Sequence, residues 1–376
     1  MVPETLLLAV GDVAPRRPDP DSMFSRVKTC LQRGDLVFGQ LETTLSERGT
    51  PVPHARLAMR SAPATAQAIR AAGFGILSFA GNHCMDWGTD AFQDTLTCTR
   101  AAGLEVCGAG ATIEAARTPV IVERNGIRCA FLAYSSVLPQ GYWAESNRPG
   151  CAPMRAFTMY EQIEHDQPGT PSRTHTFAHR EDLAALCEDV RRAREVADVV
   201  AVSLHWGIHF VPYAIADYQR DVAHAAIDSG ADVILGHHPH ILKGIDLYRG
   251  KPIFYSLGNF AIEQPMAFAN DVLASRGFQE ISALNPGFQP RAKYISPPDT
   301  QNSIVARLTL QRDRIAEIAF VPVFVNEDAE PTVLNAKDPR FADVLSYVED
   351  CSHSQRMNVA FRVCDDRVVV TEDLQN

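Results

Sequence analysis

The run ILGHHPHILKG, Ile234 to Gly244, sets three imidazoles, His237, His238 and His240, directly after an apolar segment. Imidazoles this close repel one another when protonated, and each needs a partner when neutral and buried. A bound cation answers both demands, because neutral histidine is a common metal ligand. The DVILG that leads into them has the composition of a buried strand. The stretch therefore reads as a strand that runs out into metal-competent side chains.

The same arrangement recurs upstream. TLLLAV leads to Asp12, DLVFGQL to Glu42, GILSFAG to Asn82 and His83, and DVVAVSL to His205. In α/β sheets the carboxyl ends of neighbouring strands lie together, so residues far apart in sequence can converge there. Each residue alone has a plainer reading. Asp12 suits a turn or a helix cap, Glu42 a solvated loop, Gly81-Asn82 a turn, and His205 a core histidine bonded to backbone. Their joint placement at strand ends points instead to a metal site. Mixed carboxylate, amide and imidazole ligation suits one or two divalent cations of manganese, iron or zinc better than calcium.

Working outward, strand-like and helix-like segments alternate through the first two-thirds of the chain. Helices are predicted near Ser22–Arg33, Pro63–Gly73, Thr89–Ala102, Glu181–Val196 and Tyr218–Ser229. Asn125-Gly126 between apolar runs predicts a hairpin. GIDLYRGKPIFYSLGNF reads as a further strand pair, and SIVARLTL with IAEIAFVPVFV as a late antiparallel pair. The pattern predicts an α/β fold of mixed sheets flanked by helices. No linker-like break divides residues 1–376, so one domain is expected. Two long irregular stretches interrupt it, at about 139–179 and 264–302. Their aromatic and basic residues (Tyr142, Trp143, Arg148, Arg155, Tyr160, Arg291, Lys293, Tyr294) suggest lids.

A net charge of −10 argues against a nucleic-acid or anionic-membrane partner. The N-terminal MVPETLLLAV has a short apolar run, no basic flank and no cleavage site, and reads as a strand rather than a signal or membrane span. Nine cysteines with no C-x-x-C pair suggest reduced thiols and a cytoplasmic protein. GAGA at Gly108–Ala111 lacks the remainder of a dinucleotide fingerprint, and no G-x-S-x-G occurs.

The pieces GDVAP, GQLETTLS, AGNHCMDWG, SLHWG, GHHPH and YSLGNF resemble, in order, the CapA family, named for poly-gamma-glutamate capsule biosynthesis, within the metallophosphatase (calcineurin-like) superfamily. They extend from Gly11 to Phe260. The resemblance implies a four-layer α-β-β-α sandwich with two mixed sheets and metals at the strand ends. Carried over residue by residue, Glu42 bridges the metals. Asn82, His205 and His238 complete one site, while Asp12, Glu42 and His240 form the other. His83 resembles the histidine that contacts the leaving group, and Asp86 orients it or a neighbouring ligand. His237 takes a strand-end or supporting role.

Two departures stand out. The phosphatase pattern begins D-x-H, but Asp12 is followed by Val13 and Ala14, so one metal position lacks an imidazole and should bind more weakly. Many family members are also membrane-anchored or secreted, and neither signal is read here.

Such a site implies a hydrolase that uses a metal-activated water, with His83 and Asp12 as acid and base. Three reactions fit. Hydrolysis of an amide or peptide bond in a peptide-like or gamma-glutamyl substrate comes first, because family relatives include amidases. Phosphoester hydrolysis is the superfamily's default, and peptide epimerisation at Cα the third. A non-catalytic factor in capsule synthesis is the rival from outside enzymology. Arg16, next to Arg17, and Lys243 suit a small anionic substrate, and Asn259 in YSLGNF would position it.

Overall fold

A computed structural model of the protein describes residues 3–55, 57–263 and 297–373, together with Ala274, Gln279 and Ala283. Its strands form two large sheets. In chain order these are β1 (Thr5–Ala14), β2 (Leu36–Leu41), β3 (Ile76–Ser78), β4 (Glu105–Cys107), β5 (Val120–Arg124), β6 (Ile127–Ser135), β7 (Val199–His205) and β8 (Val233–His237). There follow β9 (Ile245–Tyr248), β10 (Lys251–Phe254), β11 (Asn259–Ile262), β12 (Asn302–Leu310), β13 (Ile315–Val325), β14 (Pro331–Val333), β15 (Ala360–Cys364) and β16 (Arg367–Thr371). The longer helices are α1 (Thr65–Ala72), α2 (Gly88–Ala101), α3 (Arg180–Val196), α4 (Asp217–Asp228) and α5 (Pro339–Ser354).

The first sheet runs β15-β16-β13-β12-β1-β2-β3-β4, with β11 also beside β1 and β14 beside β13. The second runs β9-β10-β8-β7-β6-β5. Both are mixed: β1, β2, β3 and β4 are parallel while β12 opposes β1, and β6, β7, β8 and β10 are parallel while β5 and β9 oppose their neighbours. The sheets meet face to face, with Phe38 of β2 stacked on Phe131 of β6 at 5.6 Å. Helices cover the outsides. α3 turns Leu186, Val190 and Ala193 inward against β6 and β7, and α2 buries Phe92 and Leu96 on the side of β4. The result is the four-layer metallophosphatase-like sandwich.

Local sequence explains the central strands. β7, VVAVSLH, is buried at every position, as a parallel strand covered on both faces must be, so it shows a continuous apolar run rather than alternation. Asn125-Gly126 joins β5 to β6 with φ of +51° and +76°, the turn that matches strand twist. The GIDLYRGKPIFYSLGNF segment divides differently from its sequence reading. Its hairpin ends at Phe254, and β11 leaves the second sheet to lie parallel to β1 in the first.

The stretch 139–179 is only partly irregular. Ala156–Glu161 and Arg173–Ala178 form an antiparallel ribbon, and Gly150–Cys151 pairs with Ala109–Gly110. The ribbon was hidden in the sequence because neither of its faces is buried, so no apolar alternation marks it. The stretch 264–302, with Arg291, Lys293 and Tyr294, lies up to residue 296 almost wholly outside the described residues. The Ser22–Arg33 helix is shorter than expected: a 3-10 turn at Pro20–Phe24, then Lys28–Leu31. Among the described residues, no helix is long and apolar enough to cross a membrane.

Candidate metal centre

The parallel strands β1 and β2 point their carboxyl ends at those of β7 and β8, and the polar residues gather in that gap. Asp12 pairs with Gln40 in β2 and Asn259 in β11, and its N–H donates to the Gly258 carbonyl at 3.0 Å. This approach requires glycine at position 11, where a Cβ would lie 1.9 Å from the Gly258 oxygen. Glu42 follows β2, its N–H donating to Val13 O at 2.9 Å. His205 and His237 end adjacent strands in register, and His238 and His240 follow with φ of +93° and +57°. Such angles are costly for residues with a Cβ and persist where the surroundings enforce them.

Two sets of ligand-competent atoms form here, each within 4.8 Å of one another: Glu42, His205 and His238, and Asp12, Glu42 and His240. Glu42 belongs to both. His205 Nε2 lies 3.5 Å from Glu42 Oε1 and 2.6 Å from Asn82 Oδ1. His240 Nε2 is 3.7 Å from Glu42 Oε1, while its Nδ1 lies 3.1 Å from Asp12 Oδ2 and 2.8 Å from Asn259 Oδ1. With Nδ1–H donating to Asn259, the His240 lone pair sits on Nε2. All the proposed ligands thus converge, Asn82 through its contact with His205.

The electrostatics fit a cation. Asp12 and Glu42 are 0% and 1% exposed, and all four of their oxygens lack hydrogen-bond partners, as do His205 Nδ1 and His238 Nδ1. Buried carboxylates without donors are costly. Burial, and after it the charge of Asp12, pushes the Glu42 carboxyl well above its ordinary range. Burial acts on Asp12 in the same sense, but the imidazoles of His237 and His240 outweigh it and hold that carboxyl low. Burial pushes His205, His209 and His238 well below the usual imidazole range, toward the neutral form a metal needs. A divalent cation would supply what these orphaned atoms lack.

His83 stands beside this group, its Nδ1 2.7 Å from Asp86 Oδ2. Asp86 is buried and also accepts from Met59 N–H at 2.7 Å and from the Tyr142 hydroxyl at 2.9 Å. Tyr142, taken from sequence as lid material, is instead 2% exposed and part of this chain of bonds. No sequence pattern links it to Asp86. His209 was also missed, although its spacing four residues after His205 was visible.

The substrate residues lie differently. Arg16 is exposed, with its N–H bonded to Glu263, and Arg17 pairs with Glu263 and Glu330 at 2.9 and 3.0 Å. Lys243 is 2% exposed and donates to the Val211 carbonyl, and burial pushes its ammonium down to about 8. Asn259 faces His240. Ala14, where D-x-H would place an imidazole, packs with Met59 and Ile262. His237, fully buried with both ring nitrogens unpartnered, lies with Nδ1 3.6 Å from Asp12 Oδ1.

Two facing mixed sheets with carboxylates and imidazoles at their strand ends define the class: a metallophosphatase-like protein. The family follows from the sequence itself. Residues 6–264 match the model described as bacterial capsule synthesis protein PGA_cap, and the chain belongs to this CapA family. It is 29% identical over 246 residues to the PGA biosynthesis protein CapA of Bacillus subtilis (strain 168), covering 65% of this chain and 57% of that protein. The chain thus spans a little over half of that relative's length. It is 30% identical to protein y4sH of Sinorhizobium fredii, covering 84% of this chain and 82% of that one. Among solved structures it is similar to the calcineurin-like phosphoesterase YfkN of Bacillus subtilis, with a TM-score of 0.41 and 12% identity, covering 94% and 98% of the two chains.

Proposed function

We propose that this protein is a metal-dependent hydrolase that cleaves an amide or peptide bond in a peptide-like or gamma-glutamyl substrate. The observation that carries the reading is the pair of buried, donorless carboxylates, Asp12 and Glu42, set among neutral imidazoles. The name of the Bacillus relative, a PGA biosynthesis protein, supports the substrate class. One apolar cluster reaching from Leu7 to Val370 supports treating the chain as a single domain.

A bound dication supplies Lewis acidity and lowers the proton affinity of a water beside it. The protein's own residues do the rest. Glu42 with Asp12 and His240, and Glu42 with His205, His238 and Asn82, would hold one or two ions of manganese, iron or zinc. Asp86, held by Tyr142 and Met59, fixes His83 through Nδ1–H, so that His83 Nε2 would take the proton released by the attacking water and pass it to the departing nitrogen. Asp12, which keeps its charge, orients the attacking water.

The test is incubation of metal-loaded protein with pooled dipeptide amides, gamma-glutamyl peptides and phosphoesters, read by product mass. Amide cleavage is expected. Cleavage of phosphoesters alone would make it a phosphoesterase. Deuterium uptake at Cα without bond cleavage would make it an epimerase, and metal binding without turnover would make it a non-catalytic factor in capsule synthesis.

A further inference from the structure

His209 has no part in either set of candidate ligands. It lies in the loop after β7 and is half-buried. Its ring stacks on His238 with centroids 4.3 Å apart and planes at 13°, and sits 4.9 Å from the His240 ring. Its Nε2 is shielded from solvent and has no hydrogen-bond partner. Leaving a polar nitrogen buried and unmatched is costly, and here it lies beside two candidate ligands, where a bound group could supply the missing acceptor.

The loop is held at several points. Trp206 N–H donates to His237 O at 3.0 Å, Phe210 N–H to Pro239 O at 3.1 Å, and the Lys243 ammonium to Val211 O. On the other side, Gly207 N–H donates to the Tyr218 hydroxyl at 2.9 Å. Phe210 and Tyr213 adopt φ of +52° and +63°, sparsely populated for side-chain-bearing residues and typical of enforced functional loops. Lys243, three residues past His240, thus fastens the His209 loop to the very segment that carries two candidate ligands.

We propose that His209 is a substrate-contacting residue whose Nε2–H donates to an anionic oxygen, carboxylate or phosphoryl, of a ligand held at the centre, with Lys243 positioning its loop. This rests on the centre binding a cation. It extends that reading by giving the substrate an anionic group beside the His238 and His240 wall.

The experiment uses full-length protein loaded with Mn(II), its metal content measured directly, and titrates inorganic phosphate and, separately, glutarate by calorimetry. His209→Phe keeps the stacked ring and should retain its manganese, while affinity for the anion that binds wild type falls about tenfold or more, as loss of a hydrogen bond to a charged group does. His209→Gln should restore part of it, and Lys243→Met should weaken binding by a smaller factor. The two anions separate a phosphoryl from a carboxylate ligand. Unchanged anion affinity in His209→Phe overturns the proposal, and so does loss of its manganese, which would make the ring a buttress for His238. Wild type that takes up manganese but binds neither anion also overturns it, leaving the metal centre standing. Wild type that takes up neither Mn(II) nor, loaded in parallel, Fe(II) or Zn(II) removes both.

Discussion

The two sheets make unequal contributions to the centre. The first supplies acid oxygens, Asp12 from β1 and Glu42 after β2, with the Asn82 amide after β3; the second supplies nitrogen, His205 from β7 and His238 and His240 after β8. Neither set would be stable alone. The carboxylates have no donors of their own, and the imidazoles find counter-charge only across the gap, with His205 3.5 Å from Glu42 and His240 3.1 Å from Asp12. The difference teaches that the site belongs to the interface, with charge held on one wall and neutral lone pairs on the other.

Breaking the acid wall should have the largest effect. Glu42→Ala, which removes the residue common to both ligand sets, should abolish cation uptake and turnover together, as measured by metal analysis and product formation. His238→Ala tests the opposite wall and should do the same. Full activity of either variant in metal-stripped buffer would end the metal mechanism.

Next in size is a stability effect that separates the walls by pH. The folded Glu42 carboxyl titrates above its ordinary 4.5, so its contribution is complete below that pH and is lost as pH rises toward the folded value. Each pH unit within that window costs the metal-free protein about 1.4 kcal/mol. Glu42→Gln should therefore gain on wild type, metal-free, as the pH of urea denaturation is raised from 4.5. The imidazoles His205, His209 and His238 act in the other direction, losing stability as pH falls through 6.5, but they are common to both proteins. Parallel stability profiles would show that Glu42 is not strained by burial.

Smaller effects sharpen the comparison. Asn259→Ala removes the acceptor that orients His240 and should weaken metal binding about 10- to 100-fold, by competition with a chelator. Tyr142→Phe deletes one of three bonds to Asp86. It should lower kcat with KM and metal content unchanged; an equal loss of metal would place Tyr142 in the centre's framework instead.

Much of this division was legible in the sequence. Each buried parallel strand writes itself as an apolar run, and the polar residues at its end mark the sheet's carboxyl edge, which is how Asp12, Glu42, Asn82, His205 and His238 came into view. Contacts made between edges leave no such trace. Tyr142 reaches Asp86 across 56 residues, and His237 approaches Asp12 from the opposite sheet. The ribbon at Ala156–Glu161 was invisible for want of a buried face. The chain after β13, including α5 and the β15–β16 hairpin that widens the first sheet, carried no motif and drew no reading.

The passage from β10 to β11 takes only the four residues Tyr255 to Gly258, yet it moves the chain from one sheet to the other directly beneath Asp12. That short stitch ties the layers at the floor of the cleft. Prying them apart would mean tearing two ladders at once. The protein should unfold reluctantly from that end.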